Sequence, residues 1–162
     1  MSREKTISLN VNGRIHQQAF PAHRTLLEAL RELGHFDVKS GCEKGDCGAC
    51  AVLVDGEAVD SCLTLAWTVE GRTITTVAGL GNAQNPHPLQ EAFAKLGAVQ
   101  CGYCTPGLIM ASESLLRRTS DPNDDDIRFA LSGNLCRCTG YTKVFDAVKE
   151  AAARARISGE RK

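Results

Sequence analysis

Residues 40–50, Ser-Gly-Cys-Glu-Lys-Gly-Asp-Cys-Gly-Ala-Cys, decide how the rest of the chain is read. Cys42, Cys47 and Cys50 stand here beside Gly41, Gly45 and Gly48. Glycine permits left-handed backbone and close approach. Such a loop can curl around an object and turn its N–H groups inward, where they stabilise thiolate or sulfide charge. A fourth cysteine, Cys62, follows Cys50 after eleven intervening residues. C-x4-C-x2-C with a distant fourth cysteine is the plant-type spacing for a 2Fe-2S cluster. Structural zinc on four cysteines competes with it, but usually through two C-x2-C knuckles.

Strand patterns flank the loop. Ile7, Leu9 and Val11 alternate with polar residues, and Asn12-Gly13 is a tight type I′ hairpin signal, with a second strand expected through about Phe20. Thr25-x-x-Glu28 forms a capping box ahead of Leu26, Leu27, Leu30 and Leu33, with Gly34 as the stop. Residues 51–54, Asp55-Gly56 and the segment after them predict another hairpin, and residues 72–77 a final strand. Strand, strand, helix, strand, strand, strand makes a small mixed sheet with one helix across it.

The other four cysteines, Cys101, Cys104, Cys136 and Cys138, lie among helical patterns, after a Gly-, Asn- and Pro-rich stretch at 79–88. The expected division is a sheet domain over 1–79, a linker over 80–88 in which Gly79-Leu80-Gly81 reads as a turn, and a helical domain over 89–162. Pro88 starts a helix carrying Leu89, Phe93 and Leu96, with Gly97 as its stop. Thr105-Pro106 starts a second directly behind Cys104, with Leu108, Ile109, Leu115 and Leu116 on it. Asp124, Asp125 and Asp126 complement the dipole at the start of a third helix, an ordinary helix start rather than a metal site. The fourth carries Val144, Phe145, Val148, Ala151 and Ala152. Cys104-Thr105 and Cys138-Thr139 each suggest a Cys-Thr pair at a helix mouth, hence a quasi-symmetric four-helix unit whose two loops meet over one site. By ligand count that site suits zinc or 2Fe-2S, and its neighbour favours 2Fe-2S. Cys101-Gly-Tyr-Cys104 alone could be a thioredoxin-like dithiol, but a C-x-C pair follows and no βαβ pattern surrounds it. Thr105 stands where c-type haem attachment needs histidine.

The 162 residues carry 19 Lys+Arg against 19 Asp+Glu, so no bulk charge points to nucleic acid or an anionic membrane surface. The N-terminal segment lacks an apolar h-region of about 7–15 residues and a small-residue cleavage site. No apolar run approaches the roughly 18 residues of a membrane span. A cytoplasmic chain is expected, in which thiols stay reduced and the eight cysteines are ligands rather than disulfides. No GxGxxG follows a strand, the four histidines form no ligand cluster, and no nucleophile–base pair stands out, so catalytic residues are expected to be absent.

Residues 41–50 with Cys62, together with QCGYCTPG at 100–107 and NLCRCTGY at 134–141, resemble the small iron–sulfur subunit of the molybdenum hydroxylases, the xanthine dehydrogenase, aldehyde oxidase and carbon monoxide dehydrogenase family. The resemblance runs from about residue 5 to 155. It implies an α+β fold: an N-terminal β-grasp plant-type ferredoxin domain followed by a C-terminal four-helix 2Fe-2S domain. By the same resemblance, the helical-domain cluster lies nearer the molybdenum cofactor and the plant-type cluster faces the flavin. Gln100 and the Cys138 thiolate are then expected to contact the pterin of molybdopterin held by a large partner subunit, with FAD on a medium subunit and the whole a dimer of heterotrimers. Tyr103 stands where the family often has Phe, Ala51 where Thr is common and Ala78 where an acidic residue is usual; none is an expected ligand.

The implied function is a wire inside an oxidoreductase complex. Two electrons leave the molybdenum site together, a 2Fe-2S cluster takes one at a time, and a flavin collects both. The segment 31–42 resembles the form in bacterial purine-oxidising complexes, which favours a purine or other N-heterocycle over an aldehyde, with carbon monoxide further back. A free-standing two-cluster ferredoxin and a zinc-stabilised interaction module are the readings of other classes.

Overall fold

The computed structural model describes residues 4–158; the outer ends of the two expected domains, 1–3 and 159–162, lie outside the described residues. Strands β1 (Glu4–Val11) and β2 (Arg14–Pro21) form a hairpin across Asn12 and Gly13, whose φ values of +53° and +80° are those of a type I′ turn. Helix α1 (Leu26–Glu32) starts at the expected capping box: the Thr25 hydroxyl accepts the Glu28 N–H at 3.2 Å, and the Glu28 carboxylate accepts the Thr25 N–H at 2.9 Å. A second hairpin, β3 (Ala51–Val54) and β4 (Glu57–Asp60), turns at Asp55-Gly56. After a 3₁₀ turn at Ala66–Val69 comes β5 (Thr73–Thr75). The sheet order is β2-β1-β5-β3-β4, with β1 and β5 parallel and the other pairs antiparallel. Leu9, Val11, Leu26, Leu30, Val52 and Ile74 are buried together where α1 crosses it. This is the β-grasp half of an α+β fold.

The strand expected over 72–77 stops at Thr75, and Val77–Leu80 forms a short helical turn, α2. The cause is the first hairpin's tip. Asn12 accepts the Thr76 N–H and donates to the Thr76 hydroxyl, both at 2.9 Å, which pulls the chain out of the sheet. Gly79 lies so close to that tip that a Cβ there would sit 2.0 Å from Asn12 Oδ1. Within Gly79-Leu80-Gly81, Gly79 thus lies against the sheet domain, while Leu80 packs on the helical core and Gly81 lies against His87 and Gln90.

The helical half comprises α3 (Pro88–Lys95), α4 (Thr105–Arg118), α5 (Asp124–Leu131) and α6 (Thr142–Ser158). His87 caps α3 and Asn123 caps α5, each in a further capping box, with Gln90 and Asp126. Leu89, Phe93, Leu108, Ile127, Val144 and Val148 form its core. Cys104 is the N-cap of α4, as expected, but Cys138 does not open α6. Gly140 and Tyr141, at φ +64° and +68°, turn the chain once more before Thr142. The Cys-Thr near-repeat is therefore not mirrored in structure.

The two halves pack along α4 and β3, where Met110 is buried against Ala51 and Leu53. Glu113 of α4, 3% exposed, pairs there with Arg117 at 2.8 Å and His87 at 3.5 Å. Among the described residues no helix is long and apolar enough to cross a membrane.

Candidate metal centres

The loop between α1 and β3 is shaped as its glycines suggest, with left-handed backbone at Glu43, Gly45 and Gly48. That path aims the N–H groups of Lys44 and Asp46 at Cys42 Sγ, at 3.4 and 3.3 Å. Hydrogen bonds from Lys44, Asp46 and Cys47 bring the Cys42 thiol down to about 7, overcoming slight desolvation. Cys50, buried at the head of β3, is pushed in the opposite direction, to about 12, chiefly by burial and further by Cys62 and Asp60. Burial also raises the Asp60 carboxyl, which accepts from the Cys50 thiol at 3.8 Å. The turn after β4 returns the buried Cys62 to Cys50. The four thiols thus lie as two pairs, Cys42 with Cys47 and Cys50 with Cys62.

The helical domain repeats this pairing by a different route. Cys101 and Cys104 precede α4 and Cys136 and Cys138 precede α6. Cys138 Sγ lies 3.7 Å from Cys101 Sγ, and Cys104 pairs with Cys136. Burial pushes Cys104 up to about 12, helped by the neighbouring Cys136. Burial also raises Cys136, but the hydroxyl and N–H of Thr139, at 3.1 and 3.4 Å, prevail and bring it down to about 7. The hydrogen bond to Cys101 raises the exposed Cys138. Gln100 is beside this pair, its amide donating to the Cys138 carbonyl at 3.1 Å.

Among the described residues no three donor side chains converge on the position of a single metal ion. Close pairs suit a binuclear centre, to which each pair would supply two thiolates. The thiol chemistry fits too. A thiol raised by burial, such as the buried Cys50 or the half-buried Cys104, stays protonated by itself, and a bound cation deprotonates it outright. Each four-thiol set could therefore hold a 2Fe-2S cluster.

Four contacts that motif spacing did not reveal tie the two loops together. The Leu135 N–H donates to the Cys47 carbonyl at 3.0 Å, and the Asn134 amide donates to the Gly48 carbonyl at 3.1 Å. The Tyr103 hydroxyl donates to the Ser40 carbonyl. Gly107 of α4 approaches so closely that a Cβ there would meet Gly48 O at 2.1 Å. A fifth residue, Tyr141, accepts the Cys136 N–H at 2.7 Å and donates to the Asn134 carbonyl at 3.0 Å. Only the nearness of Asn134 and Tyr141 to the cysteine motif could have marked them beforehand.

Two such domains in tandem define an iron–sulfur protein with two 2Fe-2S modules. Residues 9–77 match the family model of the 2Fe-2S iron-sulfur cluster binding domain, and residues 76–149 that of the [2Fe-2S] binding domain. The chain is 46% identical over 150 residues to the nicotinate dehydrogenase small FeS subunit of Eubacterium barkeri, covering 92% of this chain and 96% of that one. It is 48% identical over 145 residues to the xanthine dehydrogenase iron-sulfur-binding subunit of Escherichia coli O157:H7, covering 88% and 91%. A chain in the crystal structure of quinoline 2-oxidoreductase from Pseudomonas putida 86 superposes with a TM-score of 0.91 at 42% identity, covering 98% of this chain and 99% of that one. The chain belongs to the small iron–sulfur subunits of the molybdenum hydroxylases, the electron-transfer components of those oxidoreductase complexes.

Proposed function

We propose that Cys42, Cys47, Cys50 and Cys62 hold one 2Fe-2S cluster, and Cys101, Cys104, Cys136 and Cys138 the other. A cluster bound there stores one electron at a time. The chain's own contribution is to fix and tune: N–H groups of Lys44 and Asp46 draw charge from the Cys42 sulfur, and Thr139 does so for Cys136. The observation that carries the proposal is the juxtaposition of the two sets, with the Cys47 carbonyl hydrogen-bonded to the residue before Cys136.

Electrons enter at the helical domain and leave from the sheet domain. Cys101 and Cys138 are exposed, and Gln100 is exposed beside them, its Nε2 on the Cys138 carbonyl. This leaves Gln100 Oε1 free to accept from the pterin of a molybdopterin-binding large subunit, with the Cys138 sulfur as the second contact. A medium subunit holds FAD, the complex is a dimer of heterotrimers, and it works in the cytoplasm. Its substrate is a purine or other N-heterocycle, which the nicotinate, xanthine and quinoline named in the relatives support.

Purification with the partner chains tests this at one stroke. About four iron and four acid-labile sulfide per copy of this chain are expected, with molybdenum and FAD in the complex. Zinc in place of iron would overturn it. Bleaching of the clusters by hypoxanthine or nicotinate, faster than by an aldehyde, is the expected substrate order; the reverse order would assign the complex to aldehydes.

A further inference from the structure

One hydrogen bond, from Leu135 N–H to Cys47 carbonyl, links the backbones of the two thiol sets, because Leu135 is bonded directly to Cys136. Leu135 does not hold itself in place: its side chain is 57% exposed and makes no core contact that would fix the loop. Two neighbours do so. Asn134, 6% exposed, reaches across with its amide to the Gly48 carbonyl at 3.1 Å, one residue beyond Cys47. Tyr141 packs its ring against the helical core and tilts on Phe145 at 6.3 Å. Its hydroxyl then spans the loop, accepting from Cys136 N–H at 2.7 Å and donating to Asn134 carbonyl at 3.0 Å. The arrangement requires Tyr141 to hold φ at +68°, a region that a bulky side chain seldom occupies and that usually persists at sites where position matters. Gly48 belongs to the same fit, since a Cβ there would lie 2.3 Å from Asn134 Nδ2.

We propose that Asn134 and Tyr141 are positioning residues for electron passage between the two thiol sets, clamping Leu135 so that its N–H stays on the Cys47 carbonyl. The proposal rests on the cluster assignment made above. One electron leaves a reduced cluster and reduces the other, with no proton or atom transferred. What the clamp controls is how continuously the two ligand shells are joined by bonds. Asn134 bears on the sheet side of that junction and Tyr141 on the helix side, so each can be loosened separately.

The test uses the full chain with its clusters, comparing the unaltered protein with Asn134→Leu, which keeps the volume without the donor, and Tyr141→Phe, which keeps the ring without the hydroxyl. Three quantities are read: iron and sulfide content, the magnetic splitting between the two paramagnetic signals in the fully reduced protein, and the rate at which one added electron redistributes between the sites after freeze-quenching. Hydrogen exchange of residues 134–136 reports the clamp directly. Both variants should keep about four iron. They should show weaker splitting, slower redistribution, and exchange of the loop amides faster by about fivefold to tenfold, the factor by which losing one buried hydrogen bond shifts a docked loop towards opening. Asn134→Gln, which restores a donor, should recover part of the splitting. Unchanged splitting and redistribution with both clusters intact would overturn the proposal alone. Loss of iron from the helical site in both variants would also overturn it, by making these residues supports of the ligand loop. Absence of iron and sulfide from the unaltered chain would overturn the cluster assignment, and the proposal with it.

Discussion

The two thiol sets reach the same pairwise arrangement by opposite means. In the sheet domain three of the four cysteines share one loop, and the fourth returns on the next hairpin. Backbone conformation does the work there, through left-handed residues at 43, 45 and 48. In the helical domain the pairs come from loops separated by 31 residues, between Cys104 and Cys136, and they meet only because α4 and α6 pack on one core. Exposure differs accordingly. Cys50 and Cys62 are buried in the sheet domain, whereas Cys101 and Cys138 face outward. A locally built site tolerates change in its surroundings, and an assembled one leaves an open edge that a partner can touch.

Breaking one set by ligand replacement gives the largest effect. Cys47→Ser should lower iron from about four to about two per chain and abolish one paramagnetic signal while sparing the other. Loss of both signals would mean that the two sets form one unit, and the contrast drawn above would fail.

Closing the gap between the sets comes next. Gly107→Ala places a methyl group 2.1 Å from the Gly48 carbonyl, so α4 must move off the first loop. Overpacking of this kind costs about 1–3 kcal/mol. At about 2–4 °C per kcal/mol for a chain of this size, thermal melting should fall by about 2–12 °C. An unchanged melting temperature would show the halves to be loosely joined.

That close approach also marks where the sequence stopped being informative. The glycine-rich loop at 40–50, both hairpin turns, the cap at Thr25 and the helix start at Pro88 were legible, because each is set by residues a few positions apart. The end of the last strand was not, since the side chain that diverts Thr76 is Asn12, on the far hairpin. Nor was the role of Asn134 and Leu135, whose partners Gly48 and Cys47 lie on the first loop, 86 residues away for Asn134, nor that of Tyr141, which braces them from within the second loop. The Cys-Thr near-repeat misled for a related reason: identical dipeptides preceded a helix directly at Cys104 but a left-handed turn at Tyr141.

The open edge of the helical site gives a smaller effect. Gln100→Ala should leave iron content unaltered and slow reduction of the clusters by substrate in the assembled complex about tenfold, the order of one hydrogen bond. Reduction by dithionite, which bypasses the partner, should not change. Equal slowing by both reductants would place the effect inside this chain rather than at the partner's pterin.

The smallest effects compare the two cores themselves. Thr25→Ala removes the cap of α1 and Asn123→Ala that of α5, each at about 1 kcal/mol. Because the caps serve separate hydrophobic clusters, each loss should be felt first by the hydrogen exchange of its own half. The first cap has a pH signature as well. The Thr25 N–H holds the Glu28 carboxyl below its usual range, with the Thr25 hydroxyl and Arg24 adding to this against slight desolvation. A carboxyl with a lower pKa in the folded state favours folding above the unfolded value of 4.5, and that contribution is lost as pH falls through the folded value. Amides of α1 should therefore lose protection below about pH 4.5 in the unaltered chain, and Glu28→Gln should flatten this dependence. Thr25→Ala keeps the backbone donor and should retain most of it. If Glu28→Gln leaves the acid dependence of α1 unchanged, the acid response of the sheet domain arises elsewhere, with the Asp55 carboxyl, held low by Arg72 and the Thr73 N–H, as the next group to replace.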